Sequence, residues 1–95
     1  MIETAKVKGT KECPHTVMLF ALSTCIWCKK TKALLDSLGI PYEYIFVDLL
    51  PSQDEPDVMN ELDKYNPGHS YPTMVIDGDN VIVGFKEAQI KDALL

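Results

Sequence analysis

The sequence predicts a layered α/β domain with elements in the order β-α-β-α-β-β-α, on three observations. The run Thr16–Leu22 (TVMLFAL) is short, apolar and without polar alternation, the pattern of a strand covered on both faces. A helical stretch over Cys25–Leu38 follows at once and leads into a second strand-like run, so the first unit reads as a parallel strand–helix–strand crossover. Near the end, Asp77-Gly78-Asp79-Asn80 separates two short β-branched runs as a hairpin turn, which makes the last two strands antiparallel. One mixed four-stranded sheet flanked by helices on both faces is the expected result.

Residues 1–15 have weak periodicity and read as an irregular amino-terminal arm, with at most a short strand around Ala5–Lys8; residues 16–95 read as a single domain. After the strand Thr16–Leu22, Ser23 and Thr24 supply amino-terminal capping chemistry for the helix Cys25–Leu38. Gly39 stops that helix and Pro41 prevents its resumption. Tyr42–Asp48 (YEYIFVD) is aromatic and β-branched, a second strand. Asp54-Glu55-Pro56 opens the next helix with carboxylates in its first turn and proline near its start, and Asn66-Pro67-Gly68 ends it after about Tyr65. Thr73–Ile76 and Val81–Val83 form the hairpin, and Phe85–Leu94 closes the chain as a helix with Ile90, Ala93 and Leu94 on one stripe.

Composition excludes several classes of function. The 95 residues carry a net charge of −5, and all nine basic side chains are lysines. An acidic chain without arginine lacks the bidentate fork for phosphate or guanine and repels a polyanion, so no nucleic-acid partner is expected. The longest apolar run, Val17–Leu22, is far short of the ~20 residues of a membrane helix, so no membrane partner is expected either. No signal-peptide core follows Lys6, Lys8 and Lys11, and three cysteines do not make a secreted disulfide framework. The expected setting is a reducing cytoplasm, where a Cys-x-x-Cys pair needs a chemical reason. Charge is unevenly spread: residues 1–32 carry six lysines against Glu3 and Glu12, whereas residues 33–95 carry three lysines against twelve carboxylates.

Cys25-Ile26-Trp27-Cys28 falls where the first strand turns into a helix, the end of an open α/β sheet at which ligand chemistry concentrates. Cys25, at the helix start, faces unsatisfied N–H groups and the positive end of the helix dipole, which stabilise a thiolate. Cys28 lies nearly one turn on, within reach of Cys25, on the stripe Cys28, Thr31, Leu35, Leu38 that packs on the sheet. Cys25 is therefore expected as the exposed attacker and Cys28 as the sheltered resolver. Lys29, Lys30 and Lys32 crowd the same turns; they read first as a solvated face, and otherwise as cations near the thiolate and a surface for an acidic partner. Trp27 cannot share the direction of Cys28 and reads as part-exposed, either an ordinary packed ring or a contact platform. Tyr71-Pro72, directly before a strand, is a candidate cis turn that would bring Tyr71 up against Cys25 and an incoming extended peptide.

These residues in this order resemble the glutaredoxin branch of the thioredoxin-like redoxins, over roughly Thr16–Leu95. Cys25-Ile26-Trp27-Cys28 is similar to the family's redox centre, Tyr71-Pro72-Thr73 to its cis-proline segment, and Val75-Ile76-Asp77-Gly78 with Val83-Gly84-Phe85-Lys86 to its closing hairpin and final turn. The resemblance implies a thioredoxin fold and a thiol–disulfide oxidoreductase with Cys25 as nucleophile. Three departures stand out. Ile26 and Trp27 replace the usual proline and aromatic, Leu22 stands where a glutathione-binding lysine often lies, and the Gly-Gly-acidic run is reduced to Gly84-Phe85-Lys86. Glutathione, as cofactor or reductant, is therefore not favoured. The Asp77–Lys86 run is more similar to NrdH-type redoxins, which donate electrons to ribonucleotide reductase and are reduced by a protein disulfide reductase. The implied partners are a disulfide-containing client protein and a flavoprotein or ferredoxin-linked disulfide reductase, and the chain is expected to act as a monomer whose only cofactor is its own Cys25–Cys28 disulfide. Trp27, Tyr71 and Pro72 are the expected substrate contacts.

A competing reading is a metal module, with Cys13, His15, Cys25 and Cys28 as a zinc set, or Cys25 from two chains bridging an iron–sulfur cluster. The strand Thr16–Leu22 argues against the zinc set, because at ~3.3 Å per residue it holds Cys13 and Cys25 roughly 23 Å apart. A redox-silent binding module on the same fold is disfavoured by the intact cysteine pair.

Overall fold

The structure, a computed structural model, describes residues 4–95; the first three residues of the arm lie outside the described residues. Strands β1 (Ala5–Val7), β2 (Val17–Ala21), β3 (Tyr42–Phe46), β4 (Thr73–Ile76) and β5 (Asn80–Val83) alternate with helices α1 (Ile26–Leu38), α2 (Glu55–Tyr65) and α3 (Glu87–Leu94). A 3-10 turn, Val47–Leu49, leaves β3. The sheet order is β1-β3-β2-β4-β5. The strands β2 and β3 are parallel, as the crossover through α1 requires, and every other pair is antiparallel.

The sheet has five strands, one more than expected. Ala5–Val7 pairs antiparallel with Tyr42–Tyr44 and extends the sheet beyond β3. The rest of the arm is pinned by its backbone: the N–H groups of Thr10 and Lys11 both donate to the carbonyl of Gly39, at 2.9 and 3.0 Å. Gly39 itself is left-handed, with φ 70°, and the N–H of Ile40 reaches back to Leu35, closing α1 in a Schellman-type turn. A side chain on Gly9 would meet the Gly39 carbonyl at 2.6 Å and Pro41 at 2.5 Å, so only glycine fits where the arm crosses the helix end.

Alternation along the central strands explains the unbroken apolar runs. Leu19 and Ala21 of β2 and Ile76 of β4 face α1 and α3, packing with Leu35, Ile90 and Leu94. Phe20 and Val75 face the other way, onto Val58 and Leu62 of α2. Both faces of the sheet are therefore buried, and polar alternation has no place in β2. The expected boundaries shift in ways that matter for the site. The strand β2 stops at Ala21, β3 stops at Phe46 rather than Asp48, and α3 starts at Glu87 rather than Phe85. Those trims free Leu22–Thr24 and Phe85 from regular structure and place Asp48 in the 3-10 turn at one end of the sheet.

Candidate active site

The carboxyl end of β2 delivers Cys25 to the start of α1. Ser23 and Thr24 were the expected caps, but Cys25 itself is the N-cap, extended at φ −86° and ψ 118°. Its Sγ accepts the main-chain N–H of Cys28 at 3.2 Å, the place a serine or aspartate oxygen usually takes. Ser23 is engaged elsewhere: its N–H and Oγ both donate to the carboxylate of Asp48, at 2.9 and 2.5 Å. This bidentate clasp ties the strand-to-helix turn to the exit of β3, and it holds Asp48 below the usual carboxylate range.

Both sulfurs are free thiols, Cys25 half-buried and Cys28 only 1% exposed. Burial is the main reason that the Cys28 thiol is pushed up to about 12. Its hydrogen bond with Cys25 and the charges of Cys25 and Asp48 add to the rise, while the Leu22 backbone works against it. The Tyr71 phenol is raised as well, by burial first and then by the Cys28 and Asp48 charges. Cys28, Tyr71 and Asp48 therefore share one electrostatic neighbourhood.

The Tyr71–Pro72 peptide bond is cis. Pro72 is buried, and its carbonyl accepts the N–H of Gly84 at 2.8 Å, joining this segment to the turn before α3. Upstream, the Asn66 side-chain amide donates to the Ser70 carbonyl, Ser70 Oγ and Thr73 Oγ1 at 3.0–3.2 Å, and its Oδ1 accepts from Gly68. That knot fixes the loop entering Tyr71. Trp27 is 52% exposed and stacks on Phe85, with centroids 6.2 Å apart and planes inclined by 22°. The Lys30 ammonium lies 4.7 Å from the centre of the Trp27 ring.

The structure thus gathers Cys25, Cys28, Trp27, Tyr71 and Pro72 at one end of the sheet. It adds Asp48, Ser23, Phe85 and Asn66, none of which the sequence pattern assigned to the site. The zinc set is not assembled. Among the described residues no three histidine, cysteine or carboxylate side chains are grouped as a metal would need. His15 bonds Asp77 through Nδ1 at 2.6 Å, holding that carboxylate below its usual range, and His69 pairs with Asp63. A cavity of about 710 Å³ opens towards the amino-terminal end of β2, among Thr16, Met18, Tyr65 and Val75, and includes neither Cys25 nor Cys28. Among the described residues no helix is long and apolar enough to cross a membrane.

Comparison with known proteins agrees with this arrangement. The crystal structure of methanoredoxin from Methanosarcina acetivorans superposes with a TM-score of 0.80 at 46% identity, covering 83% of each chain. A glutaredoxin from Methanosarcina mazei Go1 matches at 39% identity and a TM-score of 0.80, over 95% of this chain and 85% of its own. An uncharacterized glutaredoxin-like 8.6 kDa protein from the rubredoxin operon of Clostridium pasteurianum is 36% identical over 74 residues, 78% of this chain and 91% of its own. The glutaredoxin family model matches residues 17–81, a span that holds the Cys-x-x-Cys pair, the cis proline and the start of the closing hairpin. With its α/β sheet built as a thioredoxin-like fold and its dithiol at the head of α1, the chain belongs to the glutaredoxin family.

Proposed function

We propose that this protein is a dithiol–disulfide oxidoreductase that reduces disulfides in client proteins in a reducing compartment, the cytoplasm. The observation that carries the reading is the Cys25–Cys28 pair itself: a half-buried sulfur capping a helix, within 3.2 Å of the N–H of a cysteine whose own sulfur is sheltered. In the first step the Cys25 thiolate attacks one sulfur of a client disulfide, the client S–S bond breaks, and the departing thiolate takes a proton from water. Cys28 then gives its proton to solvent and attacks Cys25 Sγ. The mixed disulfide breaks, the second client sulfur leaves and is protonated, and the client has gained two electrons while Cys25–Cys28 is oxidised to a disulfide. Trp27, Tyr71 and Pro72, gathered at the same end of the sheet, are assigned to client contact.

The internal disulfide is the only redox group the reaction requires. A flavoprotein or ferredoxin-linked disulfide reductase is the reductant favoured over glutathione, because Leu22 is apolar and the chain has no arginine for the tripeptide's carboxylates. Similarity of the Asp77–Lys86 run to NrdH-type redoxins supports the same choice, with ribonucleotide reductase as one client of the right kind. Cys25→Ser is expected to abolish reduction of a disulfide-bonded test protein, and Cys28→Ser to accumulate a covalent mixed disulfide detectable by mass spectrometry. Full activity in Cys25→Ser would overturn the proposal.

A further inference from the structure

We infer that the α1 side of the dithiol selects client disulfides flanked by carboxylates, so that acidic polypeptides are the preferred substrates; this rests on the reductase reading above. Lys29, Lys30 and Lys32 lie in the first two turns of α1, and among the described residues the ion pairs engage other cations: Lys6, Lys64, Lys91 and the two histidines. Among the described residues the three ammonium groups therefore have no carboxylate to neutralise them. Two are held against rings instead. Lys30 lies over Trp27, and Lys32 lies 3.9 Å from the centre of Tyr44 and 5.3 Å from that of Phe46. A cation resting on an aromatic face keeps its outer side open to an anion.

Position on the helix relates these charges to the nucleophile. The N–H of Lys29 donates to the Cys25 carbonyl at 3.1 Å, so the two residues stand one turn apart on the same face. Side chains of a helix lean towards its amino terminus, which carries the Lys29 stem back towards Cys25. Ile26, 59% exposed, and the Trp27–Phe85 stack give an apolar floor beside the same sulfur. Asp48, past the end of β3 and in electrostatic range of Cys28 and Tyr71, repels a client carboxylate. An acidic residue next to the client cysteine is thus accepted beside the α1 lysines and rejected beside Asp48. The net charge of −5 does not cancel this preference, since at physiological salt charges beyond about 8 Å are largely screened and the nearby lysines dominate.

Two synthetic peptides, each closed by one disulfide and identical except for aspartates or lysines beside the cysteines, test the inference. Reduced protein is mixed with each, and its oxidation is followed by the fluorescence of Trp27, its single tryptophan. The acidic peptide is expected to react at least about tenfold faster at about 0.15 M salt. That advantage should shrink in 0.5 M salt and disappear in Lys29→Gln/Lys30→Gln/Lys32→Gln, changes that keep helix propensity on a solvent-facing surface. Equal rates for the two peptides, or a preference that survives removal of the lysines, would overturn the inference and leave the reductase standing. Failure to oxidise with either peptide would instead overturn the reductase reading.

Discussion

In the proposed reaction Cys28 has to ionise before it can release a client, and its surroundings oppose that. In the mixed disulfide Cys25 is covalently engaged, so its charge and its hydrogen bond no longer raise the Cys28 thiol, but burial and Asp48 still do. A thiol far below its pKa gains about tenfold in thiolate per pH unit, so the second step should accelerate with that slope through neutrality. Asp48→Asn removes the charge, keeps an acceptor for the Ser23 N–H, and presents an amide donor towards which the Ser23 hydroxyl can turn as acceptor. Its client-release profile, measured by stopped flow on a preformed mixed disulfide, is expected to move to lower pH; a move to higher pH would contradict the assigned sign. The two cysteines were legible from their spacing at a strand-to-helix junction. Asp48 was not, because it read as the last residue of a strand, and its bonds to Ser23 span 25 positions of chain. Phe85 was hidden in the same way, assigned to a helix when it lies before one and stacks on Trp27.

At the level of elements, the sequence pattern located the three α-helices and four strands of the 16–95 region but not the 3-10 turn Val47–Leu49, since burial on both sheet faces leaves a strong apolar signature and a single short turn does not. Ends were less legible, because an element stops where a tertiary hydrogen bond outcompetes the ladder, as at Ser23 and Asp48. The arm carried the weakest signal. Its order comes from backbone donors of Thr10 and Lys11 meeting Gly39, and backbone contacts leave no side-chain pattern. The glycine at the crossing, Gly9, has φ 67° and no room for a methyl group. Gly9→Ala is therefore expected to cost about 1–3 kcal/mol of stability, read as a shift in the urea midpoint, and to expose β1 amides to hydrogen exchange before those of β2.

For the molecule as a whole, two neutral acids buried on the same side of the sheet set an alkaline limit. Burial and the Asp36 carboxylate, to which its hydroxyl donates at 3.0 Å, push the Tyr42 phenol above its ordinary range, and Cys28 is raised likewise. For a group raised on folding, the stabilising contribution is complete below the unfolded pKa and is lost as pH climbs towards the folded one. Unfolding free energy should accordingly hold to about pH 8.5 and decline above it, first through Cys28 and from about pH 10 through Tyr42 as well. Tyr42→Phe is expected to flatten the upper part of that decline while costing about 0.5–1.5 kcal/mol at neutral pH, both measurable by urea titration.

Most helices assign their opening residue to an inert oxygen; this one assigns it to the atom that reacts. While the protein is reduced, that sulfur receives the amide of Cys28 and secures the first turn. Once bonded to a client or to its partner it becomes a poorer acceptor, and the turn loses its fastening. In the proposed cycle electron flow and the mechanical state of α1 are thereby one event, and the protein presents itself differently to a client and to a reductant.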